Sequence, residues 1–454
     1  MGRVVVLGAG ESGAGAAVLA KKKGFEVFVS DSGKIKKKYK KVLSHFEIDF
    51  EEEKHSDDLI LNADEVIKSP GIPDKAEIVQ KLRAKEIPVI SEIEFAGRYT
   101  NAKMICITGS NGKTTTTSLT YHILKKAGIN VRMAGNIGDS LAMQVAEEGD
   151  ELKAYVLELS SFQLDGMCDF KADIAILLNI TPDHLDRYDN EMRNYMNSKF
   201  RITQNQTEDN FFIYCVDDEI IRKEIETRNL KSKNIPFSIQ QELDEGAFVK
   251  NEQLIININQ STDKSGDTKP FAMSIHELAL QGRHNLYNTM AAGIVGRLFD
   301  LRKETIRECM SDFMGIEHRM EFAAKVYGIE FINDSKATNI NSAWWALESM
   351  RKPVIWIAGG QDKGNDYSML DEVVKQKVKA IVCLGKDNAK IIEAFDGKVE
   401  TIVETTSARE AVAYAYRLGK KGDAVLLSPA CASFDLFENY EDRGRQFKEA
   451  VRAL

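Results

Sequence analysis

Residues 104–114 read MICITGSNGKT, an apolar strand that runs into a glycine turn, after which a lysine and a threonine open the helical stretch TTTTSLTYHILKKAG, 114–128. Strand, glycine turn and helix in that order are the wiring of a nucleoside-triphosphate cradle. Gly109 and Gly112 let backbone amides approach phosphate oxygens, the helix N-terminus adds a positive dipole, Lys113 neutralises phosphate charge and Thr114 can ligate Mg2+. The general GxxxxGK[ST] pattern would put its first glycine at 107, where this chain has isoleucine, so the loop is shorter than usual. A glycine turn followed by a surface lysine is the plain alternative. The strand before it and the helix after it favour a chain that uses ATP or GTP.

Downstream, AYVLELSS (154–161), DIAILLNI (173–180) and FFIYCVD (211–217) are apolar runs of a buried, mainly parallel sheet around the P-loop strand. Functional residues belong at the strand ends, which singles out Glu158, Asp183 and His184. A lone loop histidine is usually structural, and only the company of Glu158 and Thr114 makes His184 a ligand candidate.

Upstream, RVVVLGAGESGAG is a strand followed by GxGxxG at Gly8, Gly10 and Gly13, with Asp31 at the end of the next strand. By spacing alone this is a dinucleotide site with a ribose-binding aspartate. A UDP-sugar presents the same pyrophosphate to the same helix N-terminus, so the motif does not choose between redox cofactor and substrate. From about residue 316, FINDSKATN, PVIWIAGG, KAIVCLG, VETIVET and DAVLLSPA alternate with helical stretches in a second doubly wound pattern. Its polar loops NDSKATN (333–339) and SPACASFD (428–435) are either small-anion binders or helix caps.

The expected fold is α/β in three domains: an N-terminal Rossmann-like domain (1–98), a central P-loop mononucleotide-binding domain with a parallel sheet (99–315) and a C-terminal Rossmann-like domain (316–454). The 454 residues allow two to four cores, and 43% hydrophobic with 29% charged residues is ordinary for a soluble enzyme. With 69 acidic against 61 basic side chains, and with the KIKKKYKK run (34–41) offset by nearby glutamates, no nucleic-acid surface is expected. Six scattered cysteines without a CxxC pair point to neither zinc nor a disulfide framework. Neither a signal peptide nor an apolar run of spanning length is evident, so a cytoplasmic, unanchored protein is expected.

Taken together, TGSNGKTT (108–115), NITPDHLDRY (179–188), GRHN (282–285), EHRME (317–321) and NDSKATN resemble the Mur ligases, ATP-dependent amide-forming enzymes of peptidoglycan precursor synthesis. SPGIP (69–73), ELSSFQL (158–164) and SPACASFD are similar to the members that add D-glutamate. The resemblance runs through all three segments and replaces the NAD reading of the first glycine motif. It implies ATP and two Mg2+ ions, with UDP-N-acetylmuramoyl-L-alanine and D-glutamate as substrates of a monomeric enzyme that involves no nucleic acid and no membrane. Activation of the substrate carboxylate by the ATP γ-phosphate would give an acyl phosphate that the amine of D-glutamate displaces.

Site residues follow from the same resemblance. It gives Lys113, Asn136, His184 and Lys199 catalytic roles. ATP falls to Gly109, Ser110, Asn111, Gly112, Lys113, Thr114 and Thr115, with Asn285 and Asn288 on the adenine side and Arg319 and Asp334 reaching ribose and phosphates. The UDP substrate falls to Ser12, Gly13, Asp31, Ser69, Gly71 and Asn136, and D-glutamate to His184, Lys336, Thr338, Lys363, Ser433 and the main chain at Tyr440. Thr114, Glu158, His184 and Lys199 are the implied metal ligands, Lys199 as a carbamate. On its residues alone, Lys199 is a solvated helix lysine. Two other classes stand beside this one, a nicotinamide oxidoreductase and a P-loop switch that hydrolyses nucleotide without an amino acid.

Overall fold

The computed structural model describes residues 2–149, 151–183, 185–258, 270–313, 315, 317–362 and 364–454. Two compact units account for it, Met1–Leu280 with Asn285–Phe313, and Gln281–His284 with Met314–Leu454.

The first unit contains two sheets. Strands β1 (Arg3–Leu7), β2 (Glu26–Ser30), β3 (Asp49–Glu51), β4 (Glu65–Lys68) and β5 (Val89–Ile90) form a parallel sheet in the order β3-β2-β1-β4-β5. The order reverses beside β1, which places the glycine motif after β1 at the switch point of the sheet. Strand β1 has period-two burial: Val4 and Val6 join the core shared with the second sheet, while Val5 and Leu7 pack on the opposite face with Val66 and Leu82. A side chain on Gly13 would overlap the carbonyl oxygen of Gly8, so the helix Glu11–Lys22 can start this close to the strand only with glycine there.

The second sheet comprises β6 (Lys103–Thr108), β7 (Val131–Gly135), β8 (Ala154–Glu158), β9 (Ile174–Leu177), β10 (Phe211–Cys215), β11 (Lys233–Ser238), β12 (Gly246–Lys250), β13 (Gln253–Asn257) and β14 (Phe271–Ser274). Its order is β14-β13-β12-β11-β10-β9-β6-β8-β7, parallel from β7 to β12. The parallel sheet expected from the sequence is thus extended by β13 and β14, which join antiparallel at one edge. The P-loop strand β6 lies between β8 and β9, so the loops that leave these three strands emerge side by side.

The linker helix Glu92–Gly97 joins the two sheets and carries two buried carboxylates. Glu94 Oε2 accepts N–H bonds from Cys168 (2.8 Å), Asp169 (3.1 Å) and Phe170 (2.8 Å). A single apolar cluster runs from Val4 and Leu19 through Phe95 to Tyr155 and Phe212, which is why the two sheets form one compact body.

The second unit is one sheet of β15 (Glu321–Val326), β16 (Ile329–Asn333), β17 (Val354–Ala358), β18 (Val378–Leu384), β19 (Thr401–Thr405) and β20 (Ala424–Leu427), in the order β15-β16-β20-β17-β18-β19. All pairs are parallel except the β15–β16 hairpin. Alternation is plain along β17, where Val354, Trp356 and Ala358 fill one face and Ile355 and Ile357 the other.

Candidate active site

The helix that opens at Lys113 has Gly112 as its N-cap, at φ +86°, with no side chain bonded into its first turn. By contrast, the helix after β8 is closed by a capping box of Ser160 and Gln163. An N-terminus left without a side-chain cap is what a phosphate-binding helix requires. A side chain at position 112 would overlap Asn288 Oδ1, so glycine also lets Asn288 reach the loop. Asn288 Oδ1 accepts from Thr116 Oγ1 at 3.2 Å and its amide donates to Asn285 Oδ1 at 3.2 Å, which draws both asparagines to the P-loop.

The loop after β9 braces the cradle. Asn179 Oδ1 accepts the N–H of Asn111 (2.8 Å) and its amide donates to the Asn111 carbonyl (3.0 Å). Ser110 Oγ donates to the Thr181 carbonyl (2.8 Å), accepts the Thr181 N–H (2.9 Å) and lies 3.0 Å from the Tyr195 hydroxyl. Lys113 Nζ is held by the carbonyls of Gly109 and Ser110, both at 2.8 Å, and Thr114 and Thr115 are buried in the first helical turn.

At the end of β8, Glu158 is 1% exposed. Its Oε1 accepts from Asn136 Nδ2 at 2.8 Å, whereas its Oε2 is buried without a hydrogen-bond partner among the described residues. A buried carboxylate oxygen left unpaired is costly in a folded chain and fits a cation ligand. Lys199 is 2% exposed, not the solvated helix lysine that its local pattern suggests, and it donates to Thr108 Oγ1 (3.2 Å) and the Gly109 carbonyl (2.9 Å). Burial, followed by the charge of Lys113, holds its amine well below the usual lysine range, directly behind the P-loop. His184 lies outside the described residues.

In the first sheet's loops, Asp31 Oδ2 accepts the Ala9 N–H at 2.7 Å and Oδ1 accepts the Gly33 N–H at 2.8 Å. Ser69 Oγ donates to the Gly8 carbonyl at 3.3 Å. Ser12 and Gly13 open the helix after the glycine turn, and Gly71 is exposed in the loop after β4. Arg187 stacks on Phe162, 4.4 Å from the ring centroid, and reaches the Pro70 carbonyl at 3.4 Å, which connects the loop after β9 to SPGIP.

The second unit places Asp334, Lys336 and Thr338 after β16 and Ser433 after β20, with Arg319 just before β15. Ser428 Oγ donates to Asp334 Oδ2 at 2.9 Å, and burial, against the pull of Arg319, pushes the Asp334 carboxyl up to about 6. Arg319 Nε is buried without a hydrogen-bond partner among the described residues, and burial with the Arg319 charge pushes His284 down to about 4. Lys336 Nζ lies 5.3 Å from the Tyr440 ring centroid, Ser335 Oγ donates to the Tyr440 carbonyl at 2.8 Å and Ser433 is buried in the turn that precedes the helix Tyr440–Arg452. Thr338 follows in the same strand-end loop, its N–H donating to the Lys336 carbonyl at 2.9 Å. Lys363 lies outside the described residues.

Three protein-family models cover most of the chain: MurD N-terminal domain over residues 3–78, Mur ligase middle domain over 107–296, and Mur ligase, glutamate ligase domain over 318–431. The chain is 58% identical to the UDP-N-acetylmuramoylalanine--D-glutamate ligase of Christiangramia forsetii, over 100% of this chain and 99% of that protein. The chain belongs to the Mur ligase family. A protein of the same name from Bacteroides fragilis is 57% identical over the full length of both chains. Among solved structures, the UDP-N-acetylmuramate-alanine ligase from Thermotoga maritima aligns over 100% of both chains with a TM-score of 0.62 at 17% identity, a likeness of fold. Mur ligases are ATP-dependent amide-bond ligases, so ATP use comes with the family. Among the described residues no helix is long and apolar enough to cross a membrane.

Several residues that brace the candidate loops within each unit were not among the sequence candidates. Asn179 and Tyr195 grip the P-loop, and their only local signal was a place at the end of an apolar strand and on the helix of Lys199. Arg443, fully buried, donates to Ser335 Oγ (3.0 Å), the Ser335 carbonyl (2.8 Å) and the Cys431 carbonyl (3.2 Å), tying NDSKATN to SPACASFD from the last helix. Burial brings its guanidinium down to about 10.

Proposed function

We propose that the chain joins D-glutamate to UDP-N-acetylmuramoyl-L-alanine at the expense of ATP, as a monomeric, cytoplasmic enzyme of peptidoglycan precursor synthesis. One observation carries it: the unpartnered oxygen of Glu158 beside a P-loop, in a chain whose similarity to D-glutamate ligases runs from end to end. Residues 1–98 take the UDP end through Ser12, Gly13, Asp31, Ser69 and Gly71, residues 99–315 take ATP, and residues 316–454 take D-glutamate.

The carboxylate of the UDP substrate attacks the γ-phosphorus, an O–P bond forms as the bond to ADP breaks, and the amine then displaces phosphate from the acyl carbon. The reaction brings a carboxylate up to a polyanion, so this chain's contribution is positive charge and placement. The amides of Gly109 to Thr115 hold the phosphates, Lys113 turns from its loop carbonyls to the transferring group, and Asn136 orients the carboxylate. Asn285, Asn288, Arg319 and Asp334 take the rest of the nucleotide; Lys336, Thr338, Lys363, Ser433, His184 and the main chain at Tyr440 take the amino acid.

Thr114 and Glu158 would hold one Mg2+, and Glu158, His184 and a carbamate on Lys199 a second. When bound, these ions supply charge neutralisation at the phosphates. For the carbamate, the unprotonated form of the Lys199 amine adds to CO2 and loses a proton, and the lowered basicity of the group favours that form.

The test is phosphate release with ATP, Mg2+ and UDP-N-acetylmuramoyl-L-alanine, comparing D-glutamate with L-glutamate, L-alanine, meso-diaminopimelate and no amino acid. Release with D-glutamate alone is expected; release with another amino acid would move the chain to a sister activity, and release without any would favour a nucleotide switch. Lys199→Ala should be inactive and partly restored by a short added carboxylate. Full activity in that variant would rule out the carbamate.

A further inference from the structure

Between the glycine motif of the first sheet and the phosphoryl-transfer centre of the second lies a small, fully buried junction. Glu92, 3% exposed on the linker helix, accepts at a single oxygen, Oε1, from Ser140 Oγ (2.8 Å) and from the Ala142 N–H (2.6 Å). Both donors belong to the first turn of the helix Leu141–Ala146, of which Ser140 is the N-cap, its Oγ accepting the Met143 N–H at 3.2 Å. Because that oxygen already accepts from Met143, its proton is free to point at Glu92. Gly15, on the helix that the glycine motif opens, meets the same cap from the other side: a side chain there would overlap Ser140 Oγ.

The cap is also one end of a short tether. Four residues before Ser140 is Asn136, whose N–H donates to the Glu158 carbonyl (2.8 Å) and whose amide donates to Glu158 Oε1 (2.8 Å). The segment 136–140 is therefore pinned to the unpaired carboxylate at one end and to the linker helix at the other. A displacement of the cap has four residues in which to dissipate before it reaches the group that orients the reacting carboxylate.

We propose that Glu92 is a positioning residue that holds the UDP-substrate domain in register with the phosphoryl-transfer centre, by accepting hydrogen bonds from the capped turn that leads to Asn136. This rests on the ligase function proposed above. What the junction needs is an acceptor rather than a charge, since both donors converge on one oxygen that a carboxamide would offer equally well. Alanine would strand a buried hydroxyl and a buried N–H. The charged group that faces Glu92 is Glu11, on the helix after the glycine motif.

The experiment compares E92A, E92Q and S140A with the full-length wild-type enzyme, measuring kcat, the KM of each substrate, and the affinities of UDP alone and ADP alone by titration calorimetry. E92A is expected to lower kcat about tenfold, because reacting groups held slightly out of line lose rate without losing binding. The affinities for UDP and ADP and the KM for ATP stay within about twofold, E92Q recovers most of kcat, and S140A falls between. Unchanged kcat in folded E92A, a parallel loss of UDP and ADP binding, or an E92Q as impaired as E92A would each overturn the proposal. Should E92A fail to fold, S140A decides: full kcat in that variant overturns it. If wild-type release requires an amino acid other than D-glutamate, the substrate assignment falls, and the same variants assayed with that amino acid still judge Glu92.

Discussion

Glu94 and Glu158 are both 1% exposed and both lie in the first unit, yet their surroundings are opposite. Three backbone N–H groups converge on one oxygen of Glu94, while Arg98 approaches the other at 3.4 Å. Glu158 has one amide on one oxygen and, among the described residues, no hydrogen-bond donor on the other. A carboxylate whose acceptor capacity is met internally holds chain segments together; one kept dry with an oxygen unmet is held ready for something the protein does not itself supply. Buried basic side chains divide in the same way. Arg443 spends its donors on loop atoms, whereas Lys199 has two contacts and a depressed basicity behind the P-loop.

Substitutions should separate the two kinds. The largest effect is expected for Lys113→Ala, with amino-acid-dependent phosphate release falling on the order of 10³-fold as transition-state charge loses its partner. Glu158→Gln should lower kcat on the order of 10²-fold, while urea unfolding shows equal or greater stability because a carboxamide costs less to bury than a carboxyl group with an unpartnered oxygen. Glu94→Ala should do the reverse, costing about 2–3 kcal/mol in the same unfolding experiment with kcat changed less than about threefold. A Glu158→Gln variant that unfolds easily, or a Glu94→Ala variant that is stable and inactive, would break the distinction.

The smallest expected effect concerns pH. Burial raises the Glu92 carboxyl to about 7, with the nearby charge of Glu11 adding to the shift. An acid with a raised folded-state pKa binds its proton more tightly in the folded chain. Its contribution is therefore fully present below the unfolded value and is lost as pH rises through the folded one. Wild type should lose about 1 kcal/mol relative to Glu92→Gln between about pH 6 and about pH 8, read from paired denaturation curves. Parallel curves across that range would mean that Glu92 titrates elsewhere.

Much of this was legible in the chain because the signals are local. MICITGSNGKT carries strand, turn and helix in contiguous residues, and Glu158 could be picked because a parallel strand ends on it. The bracing of the loop was not legible, since Ser110 and Tyr195 are 85 residues apart and Arg443 and Ser335 108 apart, and nothing in either neighbourhood names the other. Lys199 reads as exposed because YMNSKF mixes polar and apolar residues, and only the tertiary fold, which brings its amine to Thr108 and Gly109, buries it. The antiparallel β13 and β14 went unread because runs of five and four residues are too short for alternation to stand out from the polar sequence around them. In the second unit, His318, Met320 and Ala430 adopt left-handed backbone at φ +65°, +45° and +59°, beside the loops that hold Asp334 and Ser433. Such strain comes from tertiary packing and leaves no mark on composition.

The carboxylate of Asp31, fastened to Ala9 and Gly33, has a bearing on engineering. In dinucleotide-dependent enzymes the acidic residue after the second strand is a common lever for switching cofactor preference. Here the same side chain also rivets the glycine turn, so replacing it would loosen the loop at the same time as it altered what the loop binds. The N-terminal domain has the outline of a redox-cofactor domain, but it offers little purchase for conversion into one.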